Sequence, residues 1–225
     1  MRAAVMDALG HEFKTPLTTV QTASSGLLEL GGLTGSQLDL AKLIEGETAR
    51  LSELCTRLLL TAKLEQHQVG LQTNEENIQE LISEVLASQI AKLRERIEVA
   101  VEDPALSVSA DRELLMMILT QYIDNALKYS GPKTPIRIGA RMSRSEVVIS
   151  VHNVGSTIRI EDRERIFDRF YRAPDMRDSV PGTGIGLSIV RKAAEAHQGH
   201  VWVISDAKEG TTFFVSLPTD VRRNQ

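Results

Sequence analysis

A single cysteine, Cys55, leaves no disulfide within the 225-residue chain, and a reducing compartment fits that usage best. No apolar run reaches the roughly 18 to 20 residues of a membrane-spanning helix. No signal-peptide pattern opens the sequence. An excess of basic residues is also lacking: 26 Lys and Arg stand against 30 Asp and Glu, for a net charge of −4. Without a cluster of Lys and Arg to track phosphates, nucleic acid is not an expected partner. Internal repeats and low-complexity tracts are missing too. What is present is ordinary globular composition, 42% apolar and 25% charged, enough for one large domain or two small ones. Met1 stands directly at the start of an expected helix, which points to a region upstream.

Proline is nearly absent from residues 1–68, where Pro16 stands alone. Val5, Leu9, Phe13, Leu17, Val20, Ser24 and Leu27 recur there at steps of three or four. That spacing predicts a helix with one buried face. Gly31-Gly32-Leu33-Thr34-Gly35 ends it, and Ser36 is placed to cap a second helix. In that helix Leu40, Leu43 or Ile44, Thr48, Leu51, Leu54, Leu58 and Ala62 repeat at the same period. A two-helix hairpin this thin cannot bury both stripes alone. Two copies would complete a four-helix bundle, so a homodimer through residues 1–68 is expected.

Residues 69–225 have a mixed pattern, reached through a short linker at about residues 67–72. A short strand and a helix through Ile78, Leu81, Ile82, Val85 and Leu86 come first. Strands are expected at 97–101, 106–108, 136–141 and 147–152. Asp111 can cap a helix running to about Tyr129. A polar stretch at 158–181 precedes a helix from near Gly186, and a hairpin at 201–217 closes the chain. Strands and helices that do not strictly alternate predict an α+β sandwich, one sheet covered by helices on one face.

Three segments carry chemistry. In His11-Glu12-Phe13-Lys14-Thr15-Pro16-Leu17, His11 is expected to point away from Leu9 and Phe13. An exposed imidazole can act as a nucleophile near neutral pH, and Glu12 could orient it or accept its proton. Pro16 removes the helical donor to the carbonyl of Glu12, so a bend is expected there. In Asp124-Asn125-Ala126-Leu127-Lys128-Tyr129-Ser130, Asn125 and Lys128 share a helix face. An amide oxygen can ligate Mg²⁺, an ammonium can meet a phosphate, and the Tyr129 ring can lie by a base. In Gly182-Thr183-Gly184-Ile185-Gly186-Leu187-Ser188, alternating glycines let backbone N–H groups approach phosphate oxygens at a helix start. No Gly-Lys-Ser/Thr follows, and Leu187 replaces the third glycine of a dinucleotide fingerprint. Between these segments, Phe167 and Phe170 of Ile166-Phe167-Asp168-Arg169-Phe170-Tyr171-Arg172 can anchor a mobile loop.

The first segment resembles the H box of the histidine kinase dimerisation and phosphotransfer domain. Asn125, then Phe167 and Phe170, then Gly182, Gly184 and Gly186 resemble, in order, the N, F and second glycine boxes of the histidine kinase ATPase domain, of the Bergerat fold. The resemblance implies a phosphotransfer hairpin at 1–68 and an ATP-binding domain at 69–225. It implies that His11 accepts the phosphoryl group of ATP with help from Glu12, then passes it to an Asp of a response regulator receiver domain. Glu12-x-x-Thr15 resembles the phosphatase motif of bifunctional members. Asn125 would ligate Mg²⁺, with Lys128, Tyr129, Asn153, Gly155, Gly182, Thr183, Gly184, Ile185, Gly186 and Leu187 around the nucleotide and residues 160–181 as a lid. The chain would be cytoplasmic, a fragment of a membrane-anchored sensor, meeting the membrane only through the upstream region.

One box departs from the family. Where Asp-x-Gly-x-Gly is expected, the sequence reads Asn153-Val154-Gly155-Ser156-Thr157. Asn153 stands for the Asp that accepts the adenine amino group, and Thr157 for the second Gly. Gln121 also replaces an Asn of the N box. The alternative to an active autokinase is therefore a non-kinase dimeric scaffold, or a response-regulator phosphatase with a degenerate nucleotide site.

Overall fold

The spacing of apolar residues settles into two compact units, Met1–Val69 and Gly70–Gln225. The structure is a computed structural model that describes residues 2–65, 70–87, 95–176 and 182–219. Within its first two helices, the side chains of residues 2–11, 14, 53, 57, 58, 61, 63 and 65 lie outside that description. No helix among the described residues is long and apolar enough to cross a membrane.

Unit 1 is a hairpin of α1 (Arg2–Leu30) and α2 (Gly35–Glu65). Gly31 and Gly32 both have positive φ, 69° and 75°, a conformation that glycine adopts without penalty. The expected cap at Ser36 is instead at Thr34. The backbone N–H of Thr34 donates to Gln37 Oε1 at 3.0 Å, half of a capping box three residues long. Pro16 lies inside α1. The expected apolar face is not buried within one chain: Phe13, Val20 and Leu27 are exposed, while Ser24, Ala41 and Thr48 are buried. Small residues let the two helices approach, and Ser25 Oγ donates across them to Glu45 Oε1 at 2.6 Å.

Unit 2 opens with β1 (Thr73–Asn77), α3 (Ile78–Ala87), β2 (Ile97–Val101) and β3 (Ser107–Asp111). Then come α4 (Arg112–Tyr129), β4 (Ile136–Ser143) and β5 (Glu146–Asn153). It closes with α5 (Gly186–Ala196), β6 (His200–Asp206) and β7 (Gly210–Pro218). β1 and β3 pair antiparallel as a separate two-stranded sheet, and the main sheet has the order β2-β4-β5-β7-β6. β2 runs parallel to β4, and the other neighbours are antiparallel.

Strand alternation sorts the main sheet into two faces. The row Ile138, Val151, Phe213 and Val203 is paired across four strands and buried. It faces the apolar sides of α3, α4 and α5, with Leu81, Leu115, Ile118 and Ile189 at their centre. The next row, Arg137, His152, Thr212 and Ile204, lies on the other face. Tyr122 crosses the core from α4 and donates through its hydroxyl to the carbonyl of Phe214 at 2.8 Å.

Candidate active site

The helix-facing side of the sheet changes character at its end. Two residues beyond Val151, Phe213 and Val203, the row becomes Asn153, Thr211 and Ser205. All three are buried, so the core ends on polar atoms that need partners. Thr211 Oγ1 lies 2.7 Å from Ser205 Oγ and donates to the carbonyl of Ser156 at 3.1 Å. Ser205 Oγ accepts the N–H of Ile158 at 2.9 Å. These bonds fix the chain that follows β5. Asn153 is left apart: it is 1% exposed, and its Nδ2 has no partner among the described residues.

Helix α4 collects the other segments on one face. Gln121, Asn125 and Tyr129 are four apart and so align along the helix. At the first, a Cβ on Gly186 would fall 2.4 Å from the Gln121 amide, so the start of α5 lies directly on it. At the third, the carbonyl of Tyr129 accepts the N–H of Ser156 at 3.0 Å, and Ser130 bridges to Gly155. Arg96 holds that helix end by donating to Ser130 Oγ at 2.7 Å and to the carbonyl of Gly131 at 2.8 Å. Asn125 lies between the two contacts, and its Nδ2 is buried without a partner among the described residues. Lys128 is exposed one turn beyond Asp124, and Tyr129 is half-buried.

The glycines divide into two kinds. Gly182 has nothing within 4 Å of an added Cβ, so its backbone is open to a ligand. Gly184 has φ of 72° and lies against the backbone of Phe170 and Tyr171, and its carbonyl accepts the N–H of Phe170 at 2.9 Å. Gly155 is demanded by the fold, because a Cβ there would be 2.0 Å from the Tyr129 carbonyl. Ile185 is buried as the residue before α5 and makes no side-chain cap, so the first N–H groups of α5, from Gly186 and Leu187 onward, gain no acceptor from the residue that precedes the helix. Thr183 and Leu187 are half-buried beside them. Thr157, which stands for the second Gly, is exposed.

Two sequence expectations are corrected here. The stretch 158–181, expected to be polar, is partly buried. Its first part folds into three short 3-10 turns, Ile160–Asp162, Arg165–Phe167 and Pro174–Met176, with Asp162, Ile166 and Phe167 buried. The Tyr171 hydroxyl and Arg159 both donate to Asp162 and hold its carboxyl below the usual carboxylate range. Residues 177–181 lie outside the described residues. Phe170, expected as a second anchor, is 64% exposed with φ of 59°; Phe167 alone anchors. The cluster of Asp162, Arg159, Tyr171, Thr211 and Ser205 was not anticipated, since a charged stretch reads as solvated until its partners are known.

In unit 1, His11, Glu12 and Thr15 all lie in α1. Glu12 and Thr15 are exposed and, three apart, share a face. The side chain of His11, expected to point outward, lies outside the described residues. The carbonyl of Thr15 accepts from Thr19 Oγ1 at 3.0 Å.

A nucleotide suits this arrangement in unit 2. Two buried amides lack partners, one glycine backbone is open, and an uncapped helix start favours an anion. No group of three or more His, Cys, Asp or Glu able to hold a metal occurs among the described residues. Asn125, through its amide oxygen, is the residue that could hold a Mg²⁺ ion beside phosphate oxygens and water.

The family model "Histidine kinase-, DNA gyrase B-, and HSP90-like ATPase" matches residues 110–221, and "His Kinase A (phospho-acceptor) domain" matches residues 1–67. The adaptive-response sensory kinase SasA of Prochlorococcus marinus is 31% identical over 224 residues, 96% of this chain and 57% of that protein. The structure of full-length ShkA in complex with AMPPNP aligns with a TM-score of 0.80 at 27% identity, covering 98% of this chain and 47% of that one. The catalytic domain of histidine kinase ThkA aligns with a TM-score of 0.58 at 30% identity, covering 67% of this chain and 97% of that one. The chain spans between 25% and 57% of the length of the curated relatives it matches. A helical hairpin that matches the phospho-acceptor model, followed by an α+β unit that matches the ATPase model, places this chain in the sensor histidine kinase family.

Proposed function

We propose that this chain is an ATP-dependent protein-histidine autokinase that phosphorylates His11. The observation that carries the reading is the convergence on α4: Gly186 at Gln121, Ser156 at Tyr129, and between them an unpartnered buried amide at Asn125. In this mechanism a nitrogen of the neutral His11 imidazole attacks the γ-phosphorus. The N–P bond forms as the bond to the bridging oxygen breaks, and ADP leaves. Glu12 accepts the ring proton. The open backbone at Gly182 and the first N–H groups of α5 hold the phosphate chain, with Lys128 as a point charge. Asn125 Oδ1, after a half-turn of the amide, would hold a Mg²⁺ ion, which would supply neutralisation of phosphate charge. Asn153 and Tyr129 face the base.

The phosphoryl group then passes to an Asp of a response regulator receiver domain. Glu12 and Thr15, exposed on one face, suit the reverse task of positioning a water against that phospho-aspartate. The exposed apolar residues of unit 1 support a homodimer through residues 1–68, with 69–225 as the catalytic domain. The setting is the cytoplasmic part of a longer, membrane-anchored sensor. Incubation with γ-labelled ATP and Mg²⁺ tests the core of this reading. Acid-labile label appears on the native chain and is lost in His11→Ala. No label on the native chain, or equal label on the variant, overturns it in favour of a non-kinase scaffold or phosphatase.

A further inference from the structure

The amide of Asn153 is held in place by its backbone. Asn153 pairs with Ile136 on one side and Thr211 on the other. Its carbonyl lies under Gly210, where a Cβ would come within 2.4 Å of it. The strand end cannot slide to relieve the unpartnered Nδ2. Neighbouring acceptors are already engaged. Thr211 Oγ1 lies against Ser205 Oγ, the Tyr129 carbonyl takes Ser156 N–H, and the Val154 carbonyl takes Gly131 N–H and Thr134 Oγ1. A buried amide N–H without an acceptor is unfavourable, and these residues leave that donor open for an acceptor from outside the described residues.

A carboxamide and a carboxylate ask different things of a purine. A carboxylate only accepts, so at position 6 it suits an amino group and opposes an oxo group. A carboxamide carries a donor and an acceptor, and a half-turn exchanges them. It can accept from a 6-amino group or donate to a 6-oxo group. We propose that Asn153 makes the base site permissive for 6-oxopurine nucleotides, so that this chain binds inosine or guanosine triphosphate comparably to ATP. This inference rests on the nucleotide-site reading above and names the substrate class of that same site.

Inosine triphosphate is the discriminating probe, because it lacks the extra 2-amino group of guanosine triphosphate. Calorimetric titration of the whole chain with ATP and with inosine triphosphate, in Mg²⁺, reads the ratio directly. The expected ratio of dissociation constants is within about threefold for the native chain. For Asn153→Asp it widens to about tenfold or more in favour of ATP, a ratio that corresponds to ~1.4 kcal/mol. A thermal melt confirms that the variant is folded; if it is not, the native ratio decides alone. A native preference for ATP of tenfold or more, or an unchanged ratio in a folded Asn153→Asp, overturns the permissive site and leaves the kinase reading standing. Binding of neither nucleotide overturns both.

Discussion

Phe13, Val20, Leu27, Leu40, Leu43, Ile44 and Leu51 in the helical hairpin are between 44% and 60% exposed, whereas Leu115, Ile118, Leu119 and Ile123 of α4 are fully buried. Both regions come from the same kind of sequence, apolar residues at steps of three and four. The α+β unit meets its stripe with a sheet from its own chain. In the hairpin, the positions that close between the helices are Ser24, Ala41 and Thr48, and the large side chains are left on the outside. An amphipathic period therefore tells which face wants burial, but not whether the same chain supplies the cover. The exposed row is far larger than scattered surface apolars require, which is why a second copy enters the functional proposal.

The sharpest way to break this comparison is to truncate one apolar residue from each stripe, one exposed and one buried. Leu115→Ala opens a cavity in a closed core and costs about 2–5 kcal/mol. Urea denaturation should show that loss at every protein concentration. Leu27→Ser should leave the melting of the α+β unit unchanged and raise the dimer dissociation constant seen by sedimentation. A native chain that sediments as a monomer at all concentrations would erase the distinction. A smaller effect separates the glycines in the same manner. Gly155→Ala, facing the Tyr129 carbonyl at 2.0 Å, should cost about 1–3 kcal/mol as overpacking and weaken ATP binding. Gly182→Ala, with nothing near its Cβ, should leave chemical stability within experimental error. Equal losses in the two variants would mean that the division between packing and open glycines is wrong.

Those glycines also mark how far the sequence could be read. Alternation of apolar residues located each strand of the main sheet, and their recurrence at steps of three or four located both long helices of the hairpin, because those signals are local. The strand order, the parallel β2–β4 pair and the separate β1–β3 sheet depend on pairings between distant residues and leave no periodic trace. Glycine spacing at 182, 184 and 186 suggested one phosphate cradle. In the fold, Gly184 and Gly186 serve Phe170 and Gln121, partners that spacing cannot reveal. Asp162 and Arg159 read as a solvated charged stretch, and burial of Asp162 follows only from the Tyr171 and Arg159 bonds it accepts. Asn153 was legible as a departure. That its amide nitrogen would be buried without a partner was not, since this depends on what Thr211, Tyr129 and Val154 already bond.

The weakest expected effect tests the core of the α+β unit through protons. His197 is fully buried at the end of α5. Its Nε2 accepts the N–H of Asp111 at 2.9 Å, so Nδ1 carries the hydrogen toward the carbonyl of Ala193, 2.7 Å away. The ring is neutral, and burial holds its pKa below the ordinary value of 6.5 despite the carboxylate of Asp111. The unfolded chain therefore binds a proton here at higher pH than the folded one. The resulting stability is complete above about pH 6.5 and falls as pH drops toward the folded pKa, by at most ~1.4 kcal/mol per pH unit for one proton. His152, also lowered by burial and by Arg137, adds a share in the same window. Asp162 acts in a separate window: its lowered pKa makes its contribution present above the unfolded carboxylate value and lost in acid below about pH 4. Melting curves from pH 7 to 5 should decline in the native chain and flatten in His197→Gln, whose amide oxygen can still accept from Asp111. A slope that survives in His197→Gln but vanishes in His152→Gln would assign the proton to the open face of the sheet rather than to the packed end of α5.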